Sequence, residues 1–360
     1  MVSYRKRGSV WQYEISYKDT SGKYKKLRKS GFPRKSDAIS AAAQLQTNHP
    51  NLISFQSGKQ LFSDYFEHWI NLYKKPTVSN ITFIKYQNTL QHAKQLFKGI
   101  RLSDLSRTVY QQKINKFSET HSIRTVHTFH KQLKSALLDA FDEKIISIDP
   151  TRKTVINGTP PRKQRMTLDY KETKLLVKHL DLNMLEDLVI YVAIVTGMRF
   201  AEILGLTPAD IDTQNNIISI TKTWDYKFNS GFKPTKTKSS QRDIVVDSET
   251  IKAIQKFVSH HKIPETNPIF VYNSHSIVSA EINKILSSKL NGLGIARIPF
   301  HGLRHTHASI LLYSGVNLLS VSKRLGHSNV TTTQQTYLHI IKEMEEQDDN
   351  KIIILLQAIK

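Results

Sequence analysis

The sequence predicts a multidomain chain in three structured parts. These are a small α+β N-terminal domain (a three-stranded sheet plus a helix), an all-α helical domain, and a mainly α C-terminal domain with a small antiparallel sheet. Two observations predict this division. The hydrophobic pattern alternates near the N-terminus and becomes helical from Leu61 onward. A length of 360 residues also suggests two or three domains.

The N-terminal part is predicted as a sheet followed by one helix. Apolar and polar residues alternate within residues 8–30, and turn residues occupy Asp19–Gly22, so two or three short strands are expected. Ser36 is the expected N-cap of a helix that runs through Leu45. We assign residues 1–55 to this domain and expect a linker from Asn48 to Gln60.

The second part, residues 61–150, has apolar residues at helical spacing in four successive stripes. We predict a bundle of four helices whose aromatic residues form its core. Its basic residues are expected on the surface as phosphate contacts or solvated charges. They are Lys85, Arg101, Arg124, Lys131 and Lys134. A third helix start is expected at Ser103-Asp104, and the basic, proline-containing stretch Asp149–Arg165 is expected to be an extended connector.

The third part, residues 163–340, is mainly helical by the same criterion. Thr167 is the expected cap of a helix to about His179, and Asp187–Val195 is apolar enough for a buried helix. Short strands are expected at Ile217–Thr221 and Asp243–Val246. Further helices are expected at Ser248–His260 and Ser279–Leu290. Residues 341–360 form a tail that is first acidic and then apolar.

Composition limits the kind of partner. Lys and Arg total 52 against 30 Asp and Glu, a net charge of +22, which favours a polyanion. There is no cysteine, which excludes disulfides and thiolate chemistry. No apolar run approaches the roughly 18 residues of a membrane span. The N-terminus lacks a signal-peptide core, so a cytoplasmic protein is expected.

Polar residues between His301 and Tyr337 predict an anion site beside a nucleophile. His301 and Arg304 share a helix face at a spacing of three. Gly326 is expected to end the next helix with positive φ and to direct His327 back toward that pair. Tyr337 follows ten residues later, and its phenol needs a nearby base and positive charge to react near neutrality.

A second arginine, Arg199, lies just past Gly197 and could add a permanently charged donor fork for the equatorial oxygens of a phosphorane. The competing interpretation pairs Arg199 with a carboxylate such as Glu202. Tyr313 follows the apolar run Ile310–Leu312 and is expected in the core.

The motifs Thr-Gly-Met-Arg-Phe-Ala-Glu-Ile (196–203), His-Gly-Leu-Arg-His (301–305), Leu-Gly-His (325–327) and Tyr337 occur in that order. The set resembles the tyrosine recombinase family, specifically the integrases of phages and mobile elements. The resemblance implies a site-specific recombinase that cuts and rejoins DNA through a 3′-phosphotyrosyl intermediate. It implies an arm-site DNA-binding domain, a core-binding domain and a catalytic domain for residues 1–55, 61–150 and 163–340.

The implied catalytic residues are Arg199, Lys236, His301, Arg304, His327 and Tyr337. His301 is placed to accept the proton of Tyr337, and His327 to bind or orient the phosphate. A lysine of the hairpin protonates the 5′-oxygen; Lys236 is preferred and Lys238 remains open. No cofactor, metal or ATP is required.

The implied partners are double-stranded DNA at core and arm attachment sites, a homotetramer on DNA, a DNA-bending protein and an excision factor. The tail, residues 341–360, is expected to dock on its own domain or pass between protomers.

Two other interpretations remain open, and a third, a zinc site, is disfavoured. A type IB topoisomerase-like enzyme would use similar chemistry but rejoin the same strand. A DNA-binding regulator would carry the site as a vestige. A zinc site is suggested by the density of His301, His305 and His307, but a carboxylate ligand is missing from the pattern and Arg304 between them would repel a cation.

Overall fold

A computed structural model describes residues 2–18, 24–48, 59–160, 165–272, 275–337 and 356–357. The chain divides into two compact units, Met1–Arg162 and Lys163–Lys360. The predicted turn Asp19–Gly22 and nearly all of the tail lie outside the described residues.

The N-terminal part is an antiparallel sheet in the order β1-β2-β3 with one helix. Its elements are β1 (Val2–Arg7), β2 (Val10–Lys18), β3 (Tyr24–Phe32) and α1 (Lys35–Asn48). Tyr13 and Ile15 of the central strand are buried with Ala42 of the helix. The sheet begins earlier than predicted, and Ser36 is not the cap, because the helix already includes Lys35.

The helical part of this unit has the four predicted helices. They are α2 (Phe62–Trp69), continued by a π-helical turn (Ile70–Lys74), then α3 (Asn80–Leu96), α4 (Arg107–Ser118) and α5 (Ile123–Asp142). The aromatic core is confirmed by Phe62, Phe66 and Trp69, which are at most 1% exposed. The start predicted at Ser103-Asp104 is wrong: those residues form a 3₁₀ turn, and Ser106 caps α4 instead.

The connector predicted after α5 as an extended segment is hydrogen-bonded to the helical domain at Val155 and Thr159. Gln111 of α4 exchanges two hydrogen bonds with the backbone of Val155, at 2.8 and 2.9 Å. Thr159 exchanges backbone hydrogen bonds of 3.0 Å with His121 and Ile123. Residues 155–159 are therefore tied to the helical domain, and they satisfy backbone groups that would otherwise need water.

The second unit is mainly helical. Its helices are α6 (Tyr170–Lys178), α7 (Leu185–Thr196), α8 (Phe200–Leu204), α9 (Ser248–His261), α10 (Ser279–Gly292), α11 (Phe300–Tyr313), α12 (Leu318–Leu325) and α13 (Val330–Thr336). Its strands are β4 (Ile211–Asp212), β5 (Ile217–Ile220), β6 (Lys222–Trp224), β7 (Phe232–Pro234), β8 (Arg242–Val245), β9 (Val271–Tyr272) and β10 (His275–Ser276).

Three small antiparallel sheets result, β4-β5-β8, β6-β7 and β9-β10. Helix α7 lies in the main core, and Leu188, Val189 and Ile190 are fully buried, as its unbroken apolar sequence predicts. The cap predicted at Thr167 is wrong: Asp169 caps α6 in a reciprocal pair with Glu172.

The prediction that Tyr313 is buried in the core is also wrong. It is 56% exposed rather than buried, because it is the last residue of α11 and its neighbour Leu312 takes the inward direction. Among the described residues, no helix is both long and apolar enough to cross a membrane.

Candidate active site

The first predicted arginine is placed by a sharp change of chain direction. Helix α7 ends at Gly197, whose φ of 68° lies in the left-handed region that favours glycine. The next helix begins after Arg199, whose backbone N–H donates to Glu202 at 2.9 Å. The Arg199 guanidinium bonds the other Glu202 oxygen at 2.7 Å and the Gly326 carbonyl at 3.2 Å. Its side chain remains 37% exposed, so one side is open to a ligand.

Glu202 forms ion pairs with two arginines, Arg199 and Arg242. Its side chain is 2% exposed and also accepts a hydrogen bond from buried Arg242 at 3.0 Å. Burial by itself would raise the pKa of Glu202, but Arg242 and Arg199 outweigh it and hold the pKa below its usual range. One anion therefore fixes two cations, which leaves the cluster with excess positive charge.

Arg304 is the most enclosed cation of the site, at 3% exposure. It donates to the carbonyl oxygens of Gly197 at 2.8 Å and Leu325 at 2.6 Å. Both carbonyls lie at the C-terminal ends of helices, where the helix dipole favours a cation. Burial and Arg199 lower the pKa of Arg304, although an arginine remains charged at neutral pH. Its hydrogen-bond acceptors among the described residues are neutral carbonyls, so this desolvated guanidinium is a strong binding group for an incoming anion.

The turn after α12 brings the remaining groups together. Gly326 has a φ of 67° and ends the helix, as predicted. The adjacent carbonyls of Leu325 and Gly326 receive Arg304 and Arg199, so the two guanidiniums meet at this turn. His327 follows and bonds Thr333 of α13 through Nδ1 at 2.7 Å. Burial, then Arg304 and Arg199, lower the pKa of His327 to about 4.

Tyr337 comes directly after α13 and is 2% exposed, not a surface residue. Its ring packs in a small core with Ala308, Leu312, Val321 and Leu325. Burial raises the pKa of Tyr337 to about 12, and Arg304 opposes that rise. The phenol is therefore protonated near neutral pH and needs a base to become a nucleophile.

The imidazole that contacts this phenol is not the predicted one. His305 Nδ1 lies 2.9 Å from Tyr337 Oη. His301 lies one helical turn earlier on α11, with its ring centroid 5.0 Å from that of His305. The described residues show no hydrogen bond between His301 and Tyr337. Desolvation, His305 and Arg304 lower the pKa of His301, so it is neutral near pH 7.

The predicted lysines lie outside this cluster of contacts. Lys236 and Lys238 follow β7 and are both exposed. No hydrogen bond or ion pair joins either side chain to another described residue. The strands of the β6–β7 hairpin carry Lys222, which is paired with Asp210 and Thr207, and Lys233, which is paired with Asp225. An exposed lysine on a hairpin has the freedom to approach a bound substrate, whereas Lys222 is already engaged.

A metal centre is not supported. Within the described ranges, no group of three or more His, Asp or Glu side chains is arranged to hold a metal ion. His307 is occupied otherwise: its Nδ1 bonds the Ile194 carbonyl at 2.8 Å and its Nε2 receives Arg324 at 2.9 Å. These contacts make His307 part of the packing between α7, α11 and α12.

Sequence reasoning missed Arg242, Thr333 and the contact of His305. Arg242 carries no local pattern that marks it, because its partners Glu202 and Arg324 are far away in the chain. Thr333 lies only six residues after its partner His327, but no sequence motif marks that pair. His305 does carry a signal, its i, i+4 spacing from His301, but that spacing suggests a metal site as readily as a contact with Tyr337.

Three family models match successive parts of the chain. Residues 166–344 match the phage integrase family, residues 1–49 an arm DNA-binding domain, and residues 61–118 a phage integrase N-terminal SAM-like domain. The chain belongs to the tyrosine recombinase (phage integrase) family and is a site-specific recombinase.

Individual relatives support the same conclusion. A tyrosine recombinase XerC-like protein of Caldanaerobacter subterraneus is 27% identical over 310 residues, 77% of each chain. The integrase of Staphylococcus phage L54a is 32% identical over 171 residues, which cover 44% of this chain and 48% of that protein.

Solved structures share the fold. A Tn1549 transposon integrase in complex with transposon right end DNA has a TM-score of 0.67 at 18% identity, over 80% of this chain and 99% of that one. A lambda integrase dimer bound to a COC′ core site has a TM-score of 0.61 at 16% identity, over 92% and 93%.

Proposed function

We propose that this recombinase cleaves DNA through Tyr337 and holds the broken strand as a 3′-phosphotyrosyl intermediate. The observation that carries the proposal is the turn at Leu325–His327, where the Arg199 and Arg304 guanidiniums converge. A phosphodiester that binds there is coordinated by two charged donor forks, and Tyr337 lies in the same small core as Leu325. Comparable preorganised donors are worth roughly 10²–10³ in rate.

The proposed cleavage step is a transesterification at the scissile phosphorus. The Tyr337 oxygen forms a bond to phosphorus while the bond from phosphorus to the 5′-oxygen breaks, and the tyrosine proton passes to an imidazole. Lys236 donates a proton to the departing 5′-oxygen, with Lys238 as the alternative donor. His327 binds or orients the phosphate. Attack by the 5′-hydroxyl of another strand reverses the step and rejoins DNA, so no nucleotide or metal is consumed.

The biological setting is proposed from the matched domains. Residues 1–55 bind arm sites, residues 61–150 and 163–340 bind and cut core sites, and a homotetramer exchanges strands between two duplexes. A phage or integrative element is integrated and excised in this way in the cytoplasm, together with a DNA-bending protein and an excision factor. The matches to an arm DNA-binding domain and to a phage integrase support this setting.

A nicked suicide substrate tests the cleavage step. The chain should form protein-linked DNA that survives denaturation, and Tyr337→Phe should abolish it because only the attacking oxygen is removed. Tyr313→Phe is the matched control, since that tyrosine is exposed at the end of α11, and it should leave the adduct unchanged. Adduct formation by Tyr337→Phe, or no adduct from the unaltered chain, would refute the proposal.

Two mixed, differently labelled duplexes distinguish recombination from the topoisomerase-like reaction. Joining of strands between the duplexes is expected, whereas relaxation of supercoils without exchange would support the rival.

A further inference from the structure

Tyr337 and His305 form a hydrogen-bond contact, although the proposed cleavage step gives His305 no role. The phenolic oxygen lies 2.9 Å from Nδ1, and the two ring centroids are 5.8 Å apart. Tyr337 is buried and His305 is partly buried, so water has little access to the hydroxyl. A buried hydroxyl needs an acceptor for its proton, and His305 Nδ1 is the acceptor recorded for it among the described residues.

The direction of this hydrogen bond follows from the protonation of both groups. Burial and then Arg304 lower the pKa of His305, so its imidazole is neutral near pH 7. A neutral imidazole has one nitrogen able to accept a proton. With Nδ1 as that nitrogen, the Tyr337 hydroxyl donates to it and the phenolic proton is satisfied.

The other histidines of α11 and the following turn have different partners. His327 Nδ1 is bonded to Thr333, and His307 is bonded through both nitrogens. His301 makes an edge-to-face ring contact with His305. Of these four imidazoles, His305 is the one in hydrogen-bond contact with the proposed nucleophile.

We propose that His305, rather than His301, is the general base for Tyr337: its Nδ1 orients the phenol and takes the proton when the oxygen attacks phosphorus. The inference rests on the proposed function of Tyr337. The oxygen–hydrogen bond breaks as the oxygen–phosphorus bond forms, and the departing 5′-oxygen takes the electron pair. In the rejoining step the His305 imidazolium returns the proton to the tyrosine oxygen. His301 is then free to bind a phosphate oxygen.

The same geometry couples this proton transfer to DNA binding. Among the described residues, the charged and titratable groups around His305 are His301 and Arg304 on its own helix, His327 after α12, and Tyr337 after α13. Arg304 disfavours a second positive charge on His305. A phosphodiester bound to Arg304 offsets that repulsion, so the tyrosine stays protonated until a scissile phosphate is in place.

Single-turnover cleavage of a suicide substrate by His305→Asn tests this assignment. An asparagine carbonyl can accept the tyrosine hydrogen bond near the Nδ1 position but cannot take up a proton near neutral pH. The expected loss at pH 7 is roughly 10²–10⁴-fold, the usual contribution of general base catalysis. The cleavage rate of the variant should rise with pH, because hydroxide ionises a growing fraction of the phenol without a base from the protein. The difference in rate from the unaltered chain should therefore become smaller at high pH. His260→Asn, an exposed histidine of α9, is the matched control and should leave the rate and its pH profile unchanged.

Two further measurements show whether His305 acts as a general base or only supports the structure of the site. Free imidazole should accelerate His305→Ala in proportion to its unprotonated concentration. A 5′-phosphorothiolate substrate, whose sulfur leaves without protonation, should rescue Lys236→Ala but not His305→Asn. DNA affinity and the thermal midpoint of each variant show whether it is folded.

The assignment to His305 is overturned if His305→Asn cleaves like the unaltered chain at pH 7, or if its deficit is independent of pH and imidazole fails to accelerate His305→Ala. Either result would leave the proposed function intact as long as Tyr337→Phe forms no adduct. If Tyr337→Phe still forms the adduct, the proposed function itself fails. Should His305→Asn not fold, replacement of Tyr337 by a fluorinated, more acidic tyrosine provides the test. The cleavage rate should then become less dependent on pH, and an unchanged pH profile would count against His305.

Discussion

At the scale of single residues, the site is organised by one carboxylate and two carbonyls rather than by its cations alone. Glu202 bonds Arg199 and Arg242, and the carbonyls of Leu325 and Gly326 receive Arg304 and Arg199. Arginines would repel one another without these acceptors. The cluster is therefore assembled before a phosphate arrives, which is the preorganisation that electrostatic catalysis requires.

Removal of Glu202 should show how much stability this arrangement contributes. Glu202→Ala leaves buried Arg242 without its anion, so the free energy of unfolding should fall by about 3–5 kcal/mol in urea denaturation. Glu249→Ala removes a carboxylate from an exposed pair with Lys252 and should change it by less than about 0.5 kcal/mol. Equal effects of the two substitutions would contradict a structural role for Glu202.

The pH dependence of that difference has a defined sign. The folded-state pKa of Glu202 is below its ordinary value of 4.5, so its contribution is fully present above that pH. The contribution is lost as pH falls through the lower, folded-state pKa. The stability difference between the unaltered chain and Glu202→Ala should therefore be constant at neutral pH and shrink below about pH 4.5.

At the scale of elements, the ends of helices place the chemistry. Gly197 ends α7 and Gly326 ends α12, both in the left-handed region, and each end supplies a carbonyl to Arg304 or Arg199. A Cβ at Gly326 would lie 2.9 Å from Arg242 Nη1 and 3.0 Å from the Ser239 carbonyl. The turn therefore needs glycine for its φ and for the close approach of Arg242.

A pair of glycine substitutions separates these two requirements. Gly326→Ala should lower both stability and suicide-substrate cleavage, because it strains the backbone and displaces Arg242. Gly315→Ala imposes similar strain at a φ of 80°, with no atom within 4 Å of the added Cβ. It should cost about 1 kcal/mol of stability and leave cleavage by the folded protein unchanged. Equal losses of cleavage in the two variants would show that backbone strain alone is responsible.

At the scale of the whole molecule, charge spread over the chain predicts how it holds DNA. The net charge is +22, and the predicted surface lysines and arginines of the helical part are largely exposed, with Lys85, Arg101, Arg124 and Lys131 among them. Such a chain releases counterions when it binds a duplex, so its affinity depends steeply on salt.

The arm-binding proposal can be checked through that salt dependence. The slope of log affinity against log salt concentration should be steeper on DNA that contains arm and core sites than on core DNA alone. Each additional phosphate contact adds roughly 0.9 to the slope. Fluorescence anisotropy titrations at several salt concentrations measure it. Identical slopes on the two DNAs would argue that residues 1–55 do not bind the arm site.

Local pattern was sufficient for most elements and for the identity of the proposed site. Helical and alternating periodicity predicted the four-helix part, the buried helix α7 and the N-terminal sheet, because burial of one face repeats with the geometry of each element. The helix caps predicted at Ser36 and Thr167 are wrong. A side chain caps a helix only from the position just before its first residue, and α1 begins at Lys35 and α6 at Tyr170. The order of motifs from Arg199 to Tyr337 was enough to indicate the chemistry.

Tertiary structure alone decided which groups touch. His301 and His305 lie on the same face of α11, and nothing in their spacing shows which one meets Tyr337. That choice depends on how α13 packs against α12 and places the buried tyrosine that follows it beside α11. Arg242 and Glu202, which bond each other, likewise lie 40 residues apart in the chain. Sequence fixes the direction of a side chain from its own helix, whereas the group it meets depends on the packing of distant elements.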